Sequence, residues 1–288
     1  MKNFSLLVFL FCFFVTAAHA QSKFKYCLDK PTTQHQLPKI LNEVSGLTDI
    51  DASTVACVQD ELGIVFLYNF KSGEIISRHP FDSIGDFEGL TYAQNTLYIL
   101  RSDGRLTEWN NFPEDKTPLT HDLLELATAN NEGLCYDPNY NRLLIAAKSK
   151  PRNHDQKSER FIYAYDLATK KLVEEPVYSL NTAYLEQKAK SFNIEQKDTN
   201  AQGQIKPFNF RPASLSVHPI TNDIYIISAA DKILLTINRQ GEVTCMKPLN
   251  SEMYTKAEGI TFLNDGTMII TNEAAGKTPT LFVFKMKR

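Results

Sequence analysis

Short apolar runs of five to eight residues, bounded by turn residues, recur along the chain with the alternation of half-buried strands: Thr96 to Leu100, Arg142 to Ala147, Asp223 to Ser228 and Thr267 to Thr271. Each is followed by a second run of the same kind, as in Ile64 to Asn69, Phe161 to Asp166, Ile233 to Asn238 and Leu281 to Lys285. Ser72-Gly73, Asp103-Gly104, Gln240-Gly241 and Asp265-Gly266 supply the turns that join such strands into hairpins. A fourth strand is predicted at Glu74 to Arg78 and at Leu172 to Tyr178.

A marker tetrapeptide precedes each set: Val44-Ser45-Gly46-Leu47, Phe87-Glu88-Gly89-Leu90, Asn131-Glu132-Gly133-Leu134, Pro212-Ala213-Ser214-Leu215 and Ala257-Glu258-Gly259-Ile260. Successive second residues are 43, 44, 81 and 45 positions apart. Four antiparallel strands in a period of about 45 residues is the pattern of a propeller blade, a sheet whose two faces are buried only when neighbours stack on it. The expectation is an all-β chain forming a single propeller of five blades, the N-terminal segment supplying the outer strand of the last blade and closing the ring. A pair of β-sandwiches would not explain the fixed period. The long interval holds a polar stretch, Asn181 to Phe210, with a helix predicted over Thr182 to Phe192. It reads as an insertion at about 181–210; a hidden blade there would make six.

The first 20 residues run from Lys2 through the apolar Leu6 to Val15 to Ala17-Ala18-His19-Ala20, the form of a cleaved secretory signal. The run is too short for a membrane span, and no transmembrane anchor is expected. Residues 21–288 then form the propeller domain, in the periplasm or outside the cell. Four cysteines remain, Cys27, Cys57, Cys135 and Cys245, without the close spacing of a zinc or redox site. Cys57 and Cys135 fall on different blades and are expected free and buried. Cys27 with Cys245 is the one pairing the strand assignment allows.

Composition alters little: 31 Lys and Arg against 33 Asp and Glu exclude the basic footprint of a nucleic-acid binder. A monomer is expected.

The markers, with Cys57-Val58-Gln59-Asp60-Glu61 after the first, resemble the SdiA-regulated propeller proteins of bacterial envelopes over about residues 37 to 288. The resemblance implies a secreted or periplasmic propeller that binds calcium in its tunnel. The fourth marker departs from the family's pattern, having Ala213-Ser214 where Ser-Gly is expected.

The first strand of each blade lines a propeller's tunnel, so Ser45, Glu88, Glu132, Ala213 and Glu258 should ring one mouth. Three carboxylates would converge there, repelling one another by roughly 1 to 4 kcal/mol per pair. A hard cation, Ca²⁺ before zinc, would neutralise Glu88, Glu132 and Glu258; capping of backbone donors or pairing with Lys or Arg would do the same. The second strand returns to the same mouth, bringing Asp60, Glu61, Arg101, Asp103, Lys148, Asp231, Asn272 and Glu273. With Ser45 and Ser214 they make a rim of mixed sign, suited to a small polar ligand or a protein partner. No histidine falls in a marker, and no zincin, triad or phosphate-loop motif occurs. Asp198 to Gly203 resembles the start of an EF-hand loop, but Asn209 stands where its bidentate Glu belongs. Two functions remain open: a cation-stabilised binding propeller, or a calcium-dependent hydrolase of the gluconolactonase-like or phytase-like type.

Overall fold

The computed structural model describes residues 24–287 apart from 116, 124, 125, 127, 153, 195–201, 205 and 206. The expected leader and residues 198–201 of the EF-hand-like stretch lie outside the described residues.

After β1 (Thr33–Gln36), the strands β2 (Val44–Asp49), β3 (Thr54–Gln59), β4 (Leu62–Asn69) and β5 (Glu74–Ile84) form the first sheet in sequence order. The second is β6 (Phe87–Ala93), β7 (Thr96–Arg101), β8 (Arg105–Asn110) and β9 (Leu119–Asp122). The third is β10 (Asn131–Asp137), β11 (Arg142–Ala147), β12 (Glu159–Asp166), β13 (Lys171–Leu172) and β14 (Tyr178–Asn181), and it is followed by α1 (Thr182–Ser191). The fourth is β15 (Ser214–Val217), β16 (Ile224–Ser228), β17 (Ile233–Ile237) and β18 (Val243–Pro248). The fifth comprises β19 (Ala257–Phe262), β20 (Met268–Asn272) and β21 (Thr280–Phe284), with β1 outermost and antiparallel to β21. Five antiparallel sheets make a five-bladed propeller.

Sheet-to-sheet burial drives this arrangement. Five apolar clusters fill the five spaces between neighbouring blades, for example Ala56, Val58, Leu97 and Ile99 between the first and second. Val55 and Phe66 meet Ile269 and Leu281 between the first and fifth. At the tunnel, threonine hydroxyls tie the inner strands at three junctions: Tyr92 N donates to Thr48 Oγ1 (3.1 Å), Tyr136 N to Thr91 Oγ1 (3.0 Å) and Asp49 N to Thr261 Oγ1 (3.2 Å).

Among the described residues the long interval holds no sixth blade. The strand predicted over Leu172 to Tyr178 is split into β13 and β14, which pair with different parts of β12. Pro176 lies in the gap, where it has no N–H to give the ladder. Asn181 ends β14 and caps α1, its side chain accepting from Tyr184 N, and the helix buries Leu185 and Ala189 between the third and fourth blades.

All four described cysteines are free. The conditional pairing of Cys27 with Cys245 is therefore corrected. Tyr26 and Leu28 are buried while Cys27 between them is only partly so, which turns its thiol away from the core that takes Cys245.

Candidate functional site

The marker residues owe their placement to β-bulges. In the second blade Phe87 pairs with Arg101 and Gly89 with Leu100, leaving Glu88 without a partner residue. Glu132 is skipped in the same way between Asn131 and Gly133, and Glu258 between Ala257 and Gly259. In the first blade the irregularity takes in Ser45 and Gly46. An extra residue on one strand bends it and re-aims a side chain, so the sequence carries the bulge and the carboxylate together. The fourth blade pairs without a shift from Ser214 to Val217, and its marker carries no carboxylate.

The marker glycine allows neighbouring inner strands to approach. A Cβ on Gly89 would stand 2.6 Å from Leu134 Cβ and 2.7 Å from Glu132 O of the next blade, and one on Gly46 would stand 2.8 Å from Leu90 N. In the fourth blade Ser214 takes the glycine's place, and its Oγ accepts from Ile260 N at 3.2 Å. That hydrogen bond fills a space which is closed at the other junctions.

Glu132 and Glu258 are buried, at 1% and 3% exposure, and Glu88 is half-buried. Burial, the neighbouring Asp86 and Glu258 push the Glu88 carboxyl up to about 7, against the opposing Ser45 hydrogen bond and Lys148. Burial first, then Glu88 and Glu258, push Glu132 up to about 8, with Lys148 opposing. The three carboxylates thus act on one another across the tunnel, each with a polar neighbour. Ser45 Oγ donates to Glu88 Oε2 (2.8 Å) and to Glu88 O (3.0 Å). Lys148 Nζ stands 2.5 Å from Glu132 Oε1, and Lys256 Nζ stands 3.2 Å from Glu258 Oε1 while also binding Glu273. Burial works against the Lys148 charge, but Glu132, Glu258 and Glu88 outweigh it and hold its pKa above the usual value. Glu132 Oε2 and Glu258 Oε2 are shut off from solvent and accept no hydrogen bond among the described residues.

Around this core the rim residues divide. Burial, then Glu43 and Glu61, push Asp60 up to about 6. Glu43 and Glu273 share a hydrogen bond that raises Glu43. Both groups lie within the field of Lys256. Glu61 is exposed, its N–H held by Gln59 Oε1 at 2.5 Å. Arg101 is engaged by Asp103 through a two-pronged contact of 3.0 and 2.7 Å. Asn272 is fully buried and donates to Thr280 Oγ1, and Ser214 serves the blade junction described above. Asp231 accepts from Ser228 Oγ and from Asn209 N.

Three members of the site escaped the strand-by-strand reading: Glu43, Asp86 and Lys256. Each lies two positions ahead of a marker residue, Ser45, Glu88 and Glu258. That fixed offset, just ahead of the strand that carries each marker, is a signal in the sequence.

Among the described residues no group of three or more His, Cys, Asp or Glu side chains forms a ready-made metal cage. Two ammonium groups are already seated on the carboxylates. No helix among the described residues is long and apolar enough to cross a membrane.

The fold and this mouth define a five-bladed propeller with a bulge-presented carboxylate cluster in its tunnel. The chain belongs to the SdiA-regulated family, whose sequence pattern matches residues 17–285. Among solved structures it is similar to Myxococcus xanthus glutaminyl cyclase, at 15% identity over 90% of this chain and 96% of that one, with a TM-score of 0.54. It is also similar to a streptogramin B lyase, at 14% identity over 87% and 97% of the two chains, with a TM-score of 0.48. At 15% identity the likeness to the cyclase is one of fold. Comparison with curated proteins finds no match.

Proposed function

We propose that this chain is a binding propeller of the periplasm or cell exterior, whose tunnel mouth takes a divalent cation, calcium by donor type, and beside it a small polar ligand or a protein partner. The observation that carries this reading is the pair of buried oxygens, Glu132 Oε2 and Glu258 Oε2, that accept no hydrogen bond. Unpaired buried carboxylate oxygens are costly, and a hard ion satisfies them. Glu88, Glu132 and Glu258 would hold the ion, an all-oxygen set without thiolate or imidazole. An incoming ion competes with Lys148 and Lys256, whose released ammonium groups become available to an anionic group on the ligand.

A second reading is a hydrolase, in which the cation held by Glu88, Glu132 and Glu258 would polarise a lactone or phosphoester. A rim carboxylate outside that set would activate the water, and Asp60, pushed up to about 6 by burial and by Glu43 and Glu61, is the candidate base.

Calorimetric titration of calcium into chelator-treated protein tests the first reading. One saturable site, lost in Glu132→Gln, is the expected result; no heat of binding would contradict it. A panel of lactone, ester and phosphoester substrates separates the second. Turnover that vanishes in Glu132→Gln would establish the hydrolase.

A further inference from the structure

At the end of the tunnel away from the carboxylates, a cleft of about 710 Å³ opens between the fifth and first blades. It lies between two turns, the one after β2 and the one after β19, and β1 contributes to its wall. The corresponding space between the fourth and fifth blades is filled. There Tyr26 donates to Gly266 O (2.6 Å), bonds His218 Nε2 (2.7 Å) and packs against Tyr225 and Phe262. Nothing comparable plugs the cleft between the fifth and first blades among the described residues.

The cleft has the make-up of a small-molecule site, an apolar surface with a few placed polar groups. Phe70, Ile50, Leu263 and Val283 supply the apolar part. Asp49, the last residue of β2, supplies the inner polar group, and its Oδ1 is fixed by the Thr261 hydroxyl at 2.8 Å. The charges do not balance. Asp51 and Asp265 also face the cleft, each fixed by backbone N–H groups of its own turn, at 2.7 and 2.8 Å to Ser53 N and Thr54 N and at 2.8 Å to Thr267 N. Against three carboxylates, of which Asp49 is raised by burial with the Thr261 hydrogen bond opposing, stand Lys71 and Lys285, with the imidazole of His35 also in the wall; Lys285 lies in the field of Asp265. An excess of negative charge over an aromatic and aliphatic surface selects a cation with an apolar body.

We propose that this cleft binds a small apolar amine as its ammonium ion, with Asp49 as the counter-ion and the side chains of Phe70 and Val283 beneath its apolar part. The site is separate from the tunnel mouth and does not depend on how that mouth is read.

Tryptamine is a suitable probe, with indole-3-acetate and indole-3-ethanol as anionic and neutral counterparts carrying the same ring. Titration followed by calorimetry should show one saturable tryptamine site per chain and weaker binding of the other two. Asp49→Asn keeps the acceptor for Thr261 and removes the charge, and it should weaken tryptamine by about tenfold. Ala52→Trp, at the exposed lip of the cleft, should abolish binding while the melting temperature stays at the wild-type value. The proposal is overturned if tryptamine shows no saturable binding, if both variants bind it as the wild type does, or if indole-3-acetate binds as tightly.

Discussion

Lys148 Nζ lies 2.5 Å from Glu132 Oε1 inside the tunnel mouth, joining the end of the third blade's second strand to the bulge in its first. The lysine is one quarter exposed and the glutamate almost fully buried, so the pair is a charge contact in a poorly hydrated place. It also faces Glu88 and Glu258, which makes one ammonium the shared neutraliser of three carboxylates.

Removing one partner of a buried pair leaves an uncompensated charge. Above about pH 8, where Glu132 is ionised, Lys148→Met is expected to cost about 3 kcal/mol in urea unfolding, and less at neutral pH, where Glu132 holds its proton. The double variant Lys148→Met with Glu132→Gln should recover most of that loss, because the charge that lacked a partner is gone.

The elevated carboxyls give the mouth a pH signature. Glu88 at about 7 and Glu132 at about 8 keep protons that the unfolded chain releases near 4.5. The folded state then binds more protons across that window, so stability falls as pH rises from about 4.5 to about 8 and levels off above it. Melting temperature measured against pH in chelator should show this decline. Calcium, which favours the ionised carboxylates, should reverse it most strongly at the alkaline end.

Close approach of the inner strands can be checked at the marker glycines. Gly89→Ala would place a Cβ 2.6 Å from Leu134 Cβ, and about 2 kcal/mol of destabilisation is expected. Ser214→Ala removes one buried hydrogen bond in a roomier junction and should cost about 1 kcal/mol. Equal losses in urea unfolding would speak against the two kinds of junction.

Thiol reactivity should follow burial. Burial alone pushes Cys57 up to about 12; burial, then Asp137, raises Cys135, and burial raises Cys245 against Lys247, whereas Cys27 is partly exposed. A disulfide reagent should modify Cys27 quickly in the native protein, and the other three only on unfolding.

Much of the architecture was legible because a repeat carries it. The spacing of the markers and the alternation of Thr96 to Leu100 or Ile233 to Asn238 locate blades and strands, since each sheet must bury both faces. Helix α1 was readable from the polar interval that contains it. The break at Pro176 was readable too, since a proline inside Leu172 to Tyr178 removes a ladder donor, but the single strand expected there passed over it. At the mouth, the marker carboxylates were legible from their offsets. The lysines that answer them were only half so: Lys148 ends a recognisable strand, while Lys256 lies two residues before its marker. Which carboxylate each ammonium meets depends on bulges, and a bulge is a property of two strands rather than of one.

Thermal unfolding in chelator and in calcium, for the wild type and Glu258→Gln, tests the cation-binding mouth most directly. A ligand held only by the folded state raises the melting temperature by mass action. Calcium should therefore raise it in the wild type, chelator should return it to the lower value, and Glu258→Gln should fold but lose most of the response. A wild-type melting temperature indifferent to both would contradict the account and leave Lys148 and Lys256 as the mouth's permanent counter-ions.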